Sequence, residues 1–563
     1  MKSNSERRNV FAEYAGYAAD YVRRCYRFLI LFAAGFAAVS AVNFLSISTT
    51  QSVAAFAIGD FEIGQIADRT ITAEKTLPPD EMMPVAVEKG ERIIRKGFPV
   101  TEEGYMKLQK MAASPVYIDY RAFSNNELYL FLVAVLWYLL FSFIPWNRRI
   151  LLREPVLHVV MFMIVYSVTV FGGKIHFFAN PYSVCMIIPA VLCVMLVTVM
   201  YGQMSAVLLA FVMSLGILSA SGWELVPFLH TLTTTFAAVA VVRKVEKRMD
   251  LVVTSIITAL LGAVVLLFMA VVFNEPFVGT GKCFAGAAAN GFISGILALG
   301  LLTPLELLMN TASVFRLMDL SDLNNPLMKK MLVMASGTYN HSMMVAQLAE
   351  SACREIGANA LLARVGAYYH DIGKIDQSEY FVENQRGENK HDDINPSLSV
   401  SVIRSHVKRG VEKAHQMRFP QQIVDIIAEH HGNSVIAYFY NEAKEKDSSV
   451  TPESFSYSGT PPTTRESAVV MLADTVEAAC RTLGNPSVSR LEKFIQTLIA
   501  GKIEHGQLDN CDLTFRDISR IKEAFVQVLA GYYHSRIEYP DQADPSEQKK
   551  APPEGAKADR NEK

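Results

Sequence analysis

The sequence contains no CxxC pair among its seven cysteines, and none of them lies in the one sizeable segment that we place outside the membrane. Neither a disulfide framework nor a zinc ribbon is therefore indicated. A basic excess is also missing, since the formal net charge is −2. This charge argues against a nucleic-acid polymer as a partner. Apolar runs and histidines remain as the informative features.

These features are unevenly distributed along the chain. Long apolar runs dominate before about residue 310, and charged residues with helical periodicity dominate after it. Of the 12 histidines, nine lie at or beyond His341. The second half is therefore where we expect the chemistry.

The first half predicts a polytopic membrane protein, because a spanning helix needs about 20 predominantly apolar residues. We predict eight spans, at Phe28–Leu45 and near 127–146, 155–173, 180–200, 204–221, 224–242, 250–273 and 285–308. A cleaved signal peptide is the alternative for the first span. Its removal would leave the orientation of the other seven unchanged.

Basic residues in the short loops predict the orientation. The N-terminus is basic, and "NRRILLR" (Asn147–Arg153) and "RKVEKRMD" (Arg243–Asp250) follow the second and sixth spans. All three fall on the cytoplasmic side of a chain with eight spans. We therefore expect a multi-pass plasma-membrane protein in the lipid bilayer, with residues 50–125 extracytoplasmic and the C-terminal half in the cytoplasm.

The predicted fold class is all-α, with a transmembrane helical bundle, a cytoplasmic helical domain and a small β-rich or mixed extracellular segment. The predicted domains are 1–50 (N-terminus and first span), 51–125 (extracellular), 126–310 (seven-helix membrane domain), 311–540 (cytoplasmic) and 541–563 (disordered tail). Five of the cytoplasmic helices are predicted at 397–415, 420–431, 465–482, 487–501 and 514–533. The Ser/Thr/Pro-rich stretch Asp447–Ser467 is predicted to be a mobile insertion.

Three ionisable residues lie at or near membrane depth, namely Glu224, His230 and Glu306. Such residues are functional hypotheses by default. They show neither a repeated polar stripe nor an obvious pair of broken helices, so a transporter is poorly supported. Interhelical hydrogen bonding is the preferred interpretation.

Seven histidine and aspartate residues occupy apolar or amphipathic helical contexts in the second half. They are His341 in "YNHSMM", His370 and Asp371 in "YYHDIG", His406 in "IRSHVKRG", His430 and His431 in "AEHHGN", and Asp474 in "MLADTV". Any one of them is more readily explained as a hydrogen-bonded core residue. Burying all seven without partners would be costly, and a divalent metal satisfies imidazoles and carboxylates together. A metal site is therefore predicted.

The order H…HD…H…HH…D resembles that of the HD-domain phosphohydrolases, which are named after a pair like His370 and Asp371. The resemblance implies two divalent transition-metal ions, iron or manganese in particular. One ion would be held by His341, His370, Asp371 and Asp474, and the other by Asp371, His406, His430 and His431. Asp371 would then bridge the ions and act in catalysis.

Two adjacent ions would lower the pKa of a bridging water enough to supply hydroxide near neutral pH, and would neutralise phosphoryl oxygens. Lys374 is a candidate for catalysis and substrate binding, because an ammonium three residues after Asp371 could contact a phosphate. A solvated lysine near helix C-terminal carbonyls is an equally good explanation.

A narrower resemblance follows from the loops and the architecture. The Gly-Tyr-Pro motif of the cyclic-di-GMP branch is absent from "HHGNSVIAYFYNEA". Instead "YFVENQRGENKHDDINPSLSVSVIRSH" (Tyr380–His406), one N-terminal span, an external segment and seven clustered spans resemble the seven-transmembrane HD family, the PgpH-type cyclic-di-AMP phosphodiesterases. The external domain would be shortened to the part around "VEKGERIIRKGFPVTEEGYMKL", which puts any sensing role in doubt.

This resemblance implies hydrolysis of cyclic di-AMP to pApA, and hence control of a second messenger, with a cyclic dinucleotide as the partner. Candidate nucleotide contacts are Glu383, Asn384, Asn395 and Ser397, although solvated loop residues would have the same composition. Two alternatives stay open: an HD phosphohydrolase for another nucleotide, and a transmembrane receptor that binds a nucleotide without turnover. The sequence also leaves homodimerisation and the native metal open.

Overall fold

The computed structural model describes most of the chain. The chain divides into two compact units, the first ending at Phe315 and the second beginning at Arg316. The described residues are 26–47, 56, 58–73, 75–80, 83–114, 120–143, 150–243, 245–385, 387, 389–484 and 486–534. The predicted tail 541–563 and the basic start of the chain lie outside these residues, and each unit is considered by itself.

The first unit consists mainly of apolar helices. They are α1 (Tyr26–Ile47), α2 (Glu102–Ala113), α3 (Tyr120–Phe143), α4 (Arg153–Gly172), α5 (Pro181–Val184), α6 (Ala190–Tyr201), α7 (Gln203–Ala220), α8 (Leu225–Val242), α9 (Arg248–Val272) and α10 (Phe277–Met309). Among the described residues, seven helices are long and apolar enough to cross a membrane, namely α1, α3, α4, α7, α8, α9 and α10. These seven coincide with seven of the eight predicted spans.

The predicted span near 180–200 is not one continuous helix. It divides into the short α5 and the 12-residue α6, with Pro189 at the start of α6. A proline lacks the backbone N–H that would continue the helical hydrogen bonds. The Asn290 side chain of α10 donates to the carbonyls of Cys185 and Ile188 at 3.1 and 2.9 Å, which satisfies part of the interrupted backbone.

The predicted extracellular segment contains a small module of mixed structure. Strands β1 (Ile71–Thr72) and β2 (Arg92–Ile94) pair antiparallel, and α2 follows them. Phe61, Ile94 and Leu108 are buried in its core. The "mixed" half of the prediction is therefore correct.

One polar network joins α1, α3 and α7 in the membrane unit. The Glu127 carboxylate accepts hydrogen bonds from Ser40 at 2.5 Å and from Asn43 at 2.7 Å. Asn126 donates to the Asn43 amide oxygen at 2.8 Å and accepts from Ser219 at 2.9 Å. We call these five residues the Glu127 network. Its members are partners for one another across helices.

The three ionisable residues singled out in the sequence differ in their surroundings within the described part of the first unit. The His230 ring lies 3.3 Å from the carbonyl oxygen of Gly262 in α9, as interhelical hydrogen bonding requires. Glu306 accepts a hydrogen bond from Ser313, just beyond the end of α10. Glu224 is an exposed residue at the start of α8, so the interhelical interpretation is wrong for it.

Within its described residues, the second unit is all-α apart from short 3₁₀ turns and one isolated β-bridge. Its helices are α11 (Val314–Leu320, which begins at the boundary), α12 (Pro326–Met334), α13 (Ser336–Glu355), α14 (Ala360–Tyr369), α15 (Pro396–Gln416), α16 (Gln421–Glu429), α17 (Ala437–Lys446), α18 (Arg465–Cys480), α19 (Val488–Glu504) and α20 (Phe515–His534). The predicted cytoplasmic helices are all present. Helix α17 was not predicted.

The stretch Asp447–Ser467 is packed against the domain, contrary to the predicted mobile insertion. Phe455 is buried, and the Tyr457 backbone N–H donates to the Ser434 carbonyl at 2.9 Å. Thr463 donates through its hydroxyl to Glu429 at 2.8 Å. The Ser/Thr/Pro composition correctly indicates irregular backbone, but these tertiary contacts fix it in place.

Candidate metal centre

Five helices of the second unit bring the predicted histidines and aspartates together. His341 lies within α13, His406 within α15 and Asp474 within α18. The pair at His370 ends α14, and the pair at His430 ends α16. Four of these helices are amphipathic and turn their apolar faces inward, and α18 is buried on most of its sides, so side chains 133 positions apart along the chain meet in one interior region.

Three of the imidazoles are oriented in the same way. In each, Nδ1 donates to the backbone carbonyl three residues earlier, which leaves Nε2 as the free nitrogen that faces the interior. The pairs are His370 with Ala367 at 2.7 Å, His406 with Ile403 at 2.5 Å and His430 with Ile427 at 2.8 Å. The backbone of each helix therefore holds its ring in an orientation that metal binding through Nε2 would require.

The Asp371 carboxylate lies between two sets of these rings. Its Oδ1 is 3.4 Å from His406 Nε2 and 3.7 Å from His430 Nε2. Its Oδ2 is 3.2 Å from His370 Nε2 and 3.6 Å from His341 Nε2. One carboxylate thus presents one oxygen to each set.

The donor atoms form two clusters, each with atoms within 4.8 Å of one another. The clusters are Asp371, His406, His430 and His431, and His341, His370 and Asp474. Asp474 Oδ1 is 3.0 Å from His341 Nε2, and its Oδ2 is 3.4 Å from His431 Nδ1. Imidazole nitrogens and carboxylate oxygens at such spacing suit divalent transition metals.

The polar atoms at the centre fit cations rather than a closed hydrogen-bond network. His370 Nε2 and both Asp371 oxygens are buried, and within the described residues the partner that reaches them most closely is the Lys374 ammonium, which pairs with Asp371 Oδ2 at 2.7 Å. Leaving such atoms unsatisfied costs several kcal/mol, on the order of 1–3 for each group. Two metal ions would satisfy all three atoms.

Neighbouring charges and burial shift the pKa values of these groups in different directions. Burial alone would raise the pKa of Asp371, but His370 and Lys374 hold it well below its usual range. Burial lowers the pKa of His406 to about 3, which keeps this ring neutral. Burial alone would also lower the pKa of His341, but Asp474 and Glu477 raise it to about 10.

Lys374 is a largely buried side chain, so the interpretation as a solvated lysine is wrong. Its ammonium is 2.7 Å from Asp371 Oδ2 and 3.0 Å from Glu383 Oε1. It also lies 4.9 Å from the centre of the Phe381 ring. These contacts aim the ammonium at the metal centre.

The candidate nucleotide contacts separate into two groups. Glu383 lines the cavity beside the centre, where it pairs with Lys374. Asn384 is engaged with Thr338 at the start of α13, through bonds of 2.8 and 3.1 Å. Asn395 caps the N-terminus of α15 and Ser397 is exposed in its first turn. Asn384, Asn395 and Ser397 do not line the described cavity, and their role as substrate contacts stays a prediction.

Sequence reasoning missed Glu477, which orients His341. Glu477 Oε2 is 2.5 Å from His341 Nδ1, and Oε1 accepts from Arg481 at 2.7 Å. Glu477 lies three residues after Asp474, so both carboxylates share one face of α18. That spacing was the available signal.

A cavity of about 430 Å³ opens onto the centre. Its walls include His341, His406, His431 and Asp474 from the two clusters. Lys374, Glu383, Arg481 and Lys502 also line it. A volume of this size is typical of small-ligand sites.

This helical fold and its clusters define an HD domain. Residues 338–479 match the HD domain family, and residues 126–313 match the family described as "7TM receptor with intracellular HD hydrolase". The chain therefore belongs to the seven-transmembrane HD family, as its motifs predict.

Particular relatives are similar over different parts of the chain. Over 316 residues, this chain is 40% identical to the cyclic-di-AMP phosphodiesterase PgpH of Bacillus subtilis. The aligned part covers 56% of this chain and 44% of that protein. They are 31% identical over 473 residues to PgpH of Listeria monocytogenes (82% of this chain, 65% of that protein). The chain thus spans less than two thirds of the length of these curated relatives.

A solved structure of the L. monocytogenes PgpH HD domain in complex with cyclic di-AMP is 44% identical to this chain. It covers 38% of this chain and 100% of the solved one, with a TM-score of 0.37.

Proposed function

We propose that this protein is a membrane-anchored, metal-dependent phosphodiesterase that hydrolyses cyclic di-AMP to pApA. The observation that carries the proposal is the buried Asp371 carboxylate, whose two oxygens each face one set of histidine rings beside a cavity. The names of the relatives support cyclic di-AMP as the substrate. We expect this activity to control the level of a second messenger.

Two divalent ions, iron or manganese in particular, would be held by His341, His370, Asp371 and Asp474 and by Asp371, His406, His430 and His431. When bound, such ions activate water near neutral pH and neutralise phosphoryl oxygens. The residues of the chain orient the reaction: Asp371 holds the two sites together, and Lys374 offers its ammonium to the phosphate at the same edge. Because most residues of the two clusters are buried, these electrostatic contacts are stronger than they would be in water.

We further propose that the HD domain lies in the cytoplasm. The matched membrane family has seven spans, and between 126 and 313 the structure has six long apolar helices and the interrupted pair α5 and α6. If that pair crosses the membrane, α1 brings the total to eight and both ends lie on one side. Proteolysis of the HD domain in inverted but not in right-side-out vesicles is the expected result.

The activity is tested with the full chain purified in detergent and loaded with Mn²⁺ or Fe²⁺. We expect turnover of cyclic di-AMP to pApA, and slower turnover of cyclic di-GMP and mixed cyclic dinucleotides. Turnover of another nucleotide without turnover of cyclic di-AMP would contradict the substrate. Binding by metal-loaded protein without any hydrolysis would instead identify a receptor.

A further inference from the structure

The cavity beside the metal centre is lined by three cations in the part of the chain that the structure describes, and two of them are neutralised. Lys374 pairs with Asp371 and Glu383. Arg481 pairs with Glu477 at 2.7 Å. The third cation, Lys502 of α19, has no such carboxylate.

The Lys502 ammonium is held by a neutral group. It donates to the hydroxyl of Ser434 at 2.9 Å, and no ion pair joins it to a carboxylate among the described residues. Burial lowers the pKa of Lys502. The Asp474 carboxylate attracts Lys502 from a distance and forms no ion pair with it among the described residues, so an anion arriving in the cavity would gain a direct contact with this ammonium.

The surrounding contacts fix where this ammonium lies. The Ser434 backbone N–H donates to the His431 carbonyl at 3.1 Å, so Ser434 follows directly on the second histidine cluster. The Tyr457 N–H donates to the Ser434 carbonyl at 2.9 Å, and the Tyr457 ring stacks on His431 at 4.2 Å between centres. Lys502 is therefore anchored to the wall of the cavity that carries His431.

We propose that Lys502 binds a second anionic group of the substrate, separate from the phosphate that reacts at the metal centre. This inference rests on the proposed function and deepens it. A cyclic dinucleotide carries two phosphates, and the ammonium provides a site for the one that is not cleaved. Lys502 thereby selects dinucleotides over diesters that have a single phosphate.

The test compares two substrates on metal-loaded full-length protein. Cyclic di-AMP has two phosphates, and bis(p-nitrophenyl) phosphate has one. For Lys502→Gln we expect KM for cyclic di-AMP to rise on the order of tenfold to hundredfold, as for a lost charge-assisted hydrogen bond. The rise should be at least about ten times larger than for the single-phosphate ester, with little change in kcat. Lys502→Arg should restore most of the affinity.

Lys493 provides the matched control, since it is an exposed lysine on the same helix. Lys493→Gln should leave both substrates as in the parent protein. Equal losses of Lys502→Gln on both substrates, or an unchanged KM for cyclic di-AMP, would overturn the inference while the proposed function stands. Parent protein that turns over neither cyclic di-AMP nor any other cyclic dinucleotide would overturn the proposed function, and the inference with it.

Discussion

The Glu127 network in the membrane unit and the metal centre in the HD domain each place a carboxylate among polar side chains, part-buried for Glu127 and fully buried for Asp371. In the network, each Glu127 oxygen accepts a hydrogen bond from a neighbouring helix. In the metal centre, Asp371 Oδ1 accepts none within the described residues, and Oδ2 is paired with the Lys374 ammonium at 2.7 Å. The two clusters resemble each other in composition and differ in whether their polar atoms are satisfied.

This difference indicates what each cluster does. A carboxylate with a donor for every oxygen is complete, and its role is to hold helices together. The Asp371 carboxylate faces four imidazole nitrogens at 3.2 to 3.7 Å, and the Lys374 ammonium pairs with its Oδ2 alone, so Oδ1 is left for a metal ion. The following variants test this distinction, from the largest expected effect to the smallest.

Asp371→Ala should remove both metal ions and lower hydrolysis of cyclic di-AMP by more than about 10³-fold, because one carboxylate serves both clusters. Metal content by mass spectrometry and pApA formation measure the two effects. Asp376→Ala is the matched control, since Asp376 is a half-exposed residue of the same segment that pairs with Lys413. Unchanged metal content in Asp371→Ala would refute its bridging position.

Lys374→Met should lower kcat for cyclic di-AMP on the order of 10²-fold while both metal ions remain bound. The methionine keeps most of the length of the side chain and removes the ammonium, with its charge and N–H donors, that faces Asp371 and Glu383. Single-turnover hydrolysis measures the loss of rate, and metal analysis shows whether both ions remain bound. Loss of metal in parallel with activity would mean that the ammonium is structural.

Glu477→Gln should weaken metal binding at the His341 cluster about tenfold to hundredfold, as expected when the partner that orients a ligating histidine is lost. The cluster of His406, His430 and His431 should keep its affinity. Competition with a chelator measures both. Arg481→Gln breaks the Arg481–Glu477 pair alone, and if it reproduced the loss, the contact with His341 would not be the cause.

Metal binding should also depend on pH differently at the two clusters. Asp474 and Glu477 raise the pKa of His341 to about 10 against the effect of burial, so this ring is protonated at neutral pH until a metal displaces the proton. Burial lowers the pKa of His406 to about 3, so this ring has no proton to release. Affinity at the His341 cluster should therefore rise up to about tenfold per pH unit below pH 10.

Calorimetry in buffers of different ionisation enthalpy checks this expectation. We expect release of about one proton on filling the His341 cluster at pH 7 and none from His406 on filling the other. Proton release should decrease in Glu477→Gln, because the pKa of His341 falls when the carboxylate is removed. Equal proton release at both clusters would contradict the assignment.

Much of the second unit could be predicted because helical periodicity and the spacing of the histidines are local in the sequence. The order from His341 to Asp474 predicts the family, and the structure brings all seven residues together. Lys374 could not be assigned from sequence, because burial by Phe381 and Glu383 is a tertiary effect. Whether the seven are metal ligands stays a prediction.

The parts that sequence reasoning missed depend on partners far along the chain. The sequence around Lys502 and Tyr457 resembles that of ordinary surface segments. Contacts with Ser434 and His431 place these two side chains at the cavity. The interruption near 180–200 was hidden because average hydropathy does not register a break at Pro189. The Glu127 network was hidden for a related reason, since its donors come from three different helices.

Glu127→Gln is the smallest expected perturbation. The amide keeps one acceptor and loses the other, so either Ser40 or Asn43 loses its partner. We expect a loss of about 1 kcal/mol in the free energy of unfolding, in line with measured interhelical hydrogen bonds in membranes. Thermal unfolding in detergent measures it, with Glu275→Gln at an exposed loop position as the control.

Metal content and hydrolysis should stay at the parent values in Glu127→Gln. A variant that keeps its stability but loses hydrolysis would show that the network serves the active site, and the contrast between a complete and an incomplete cluster would fail.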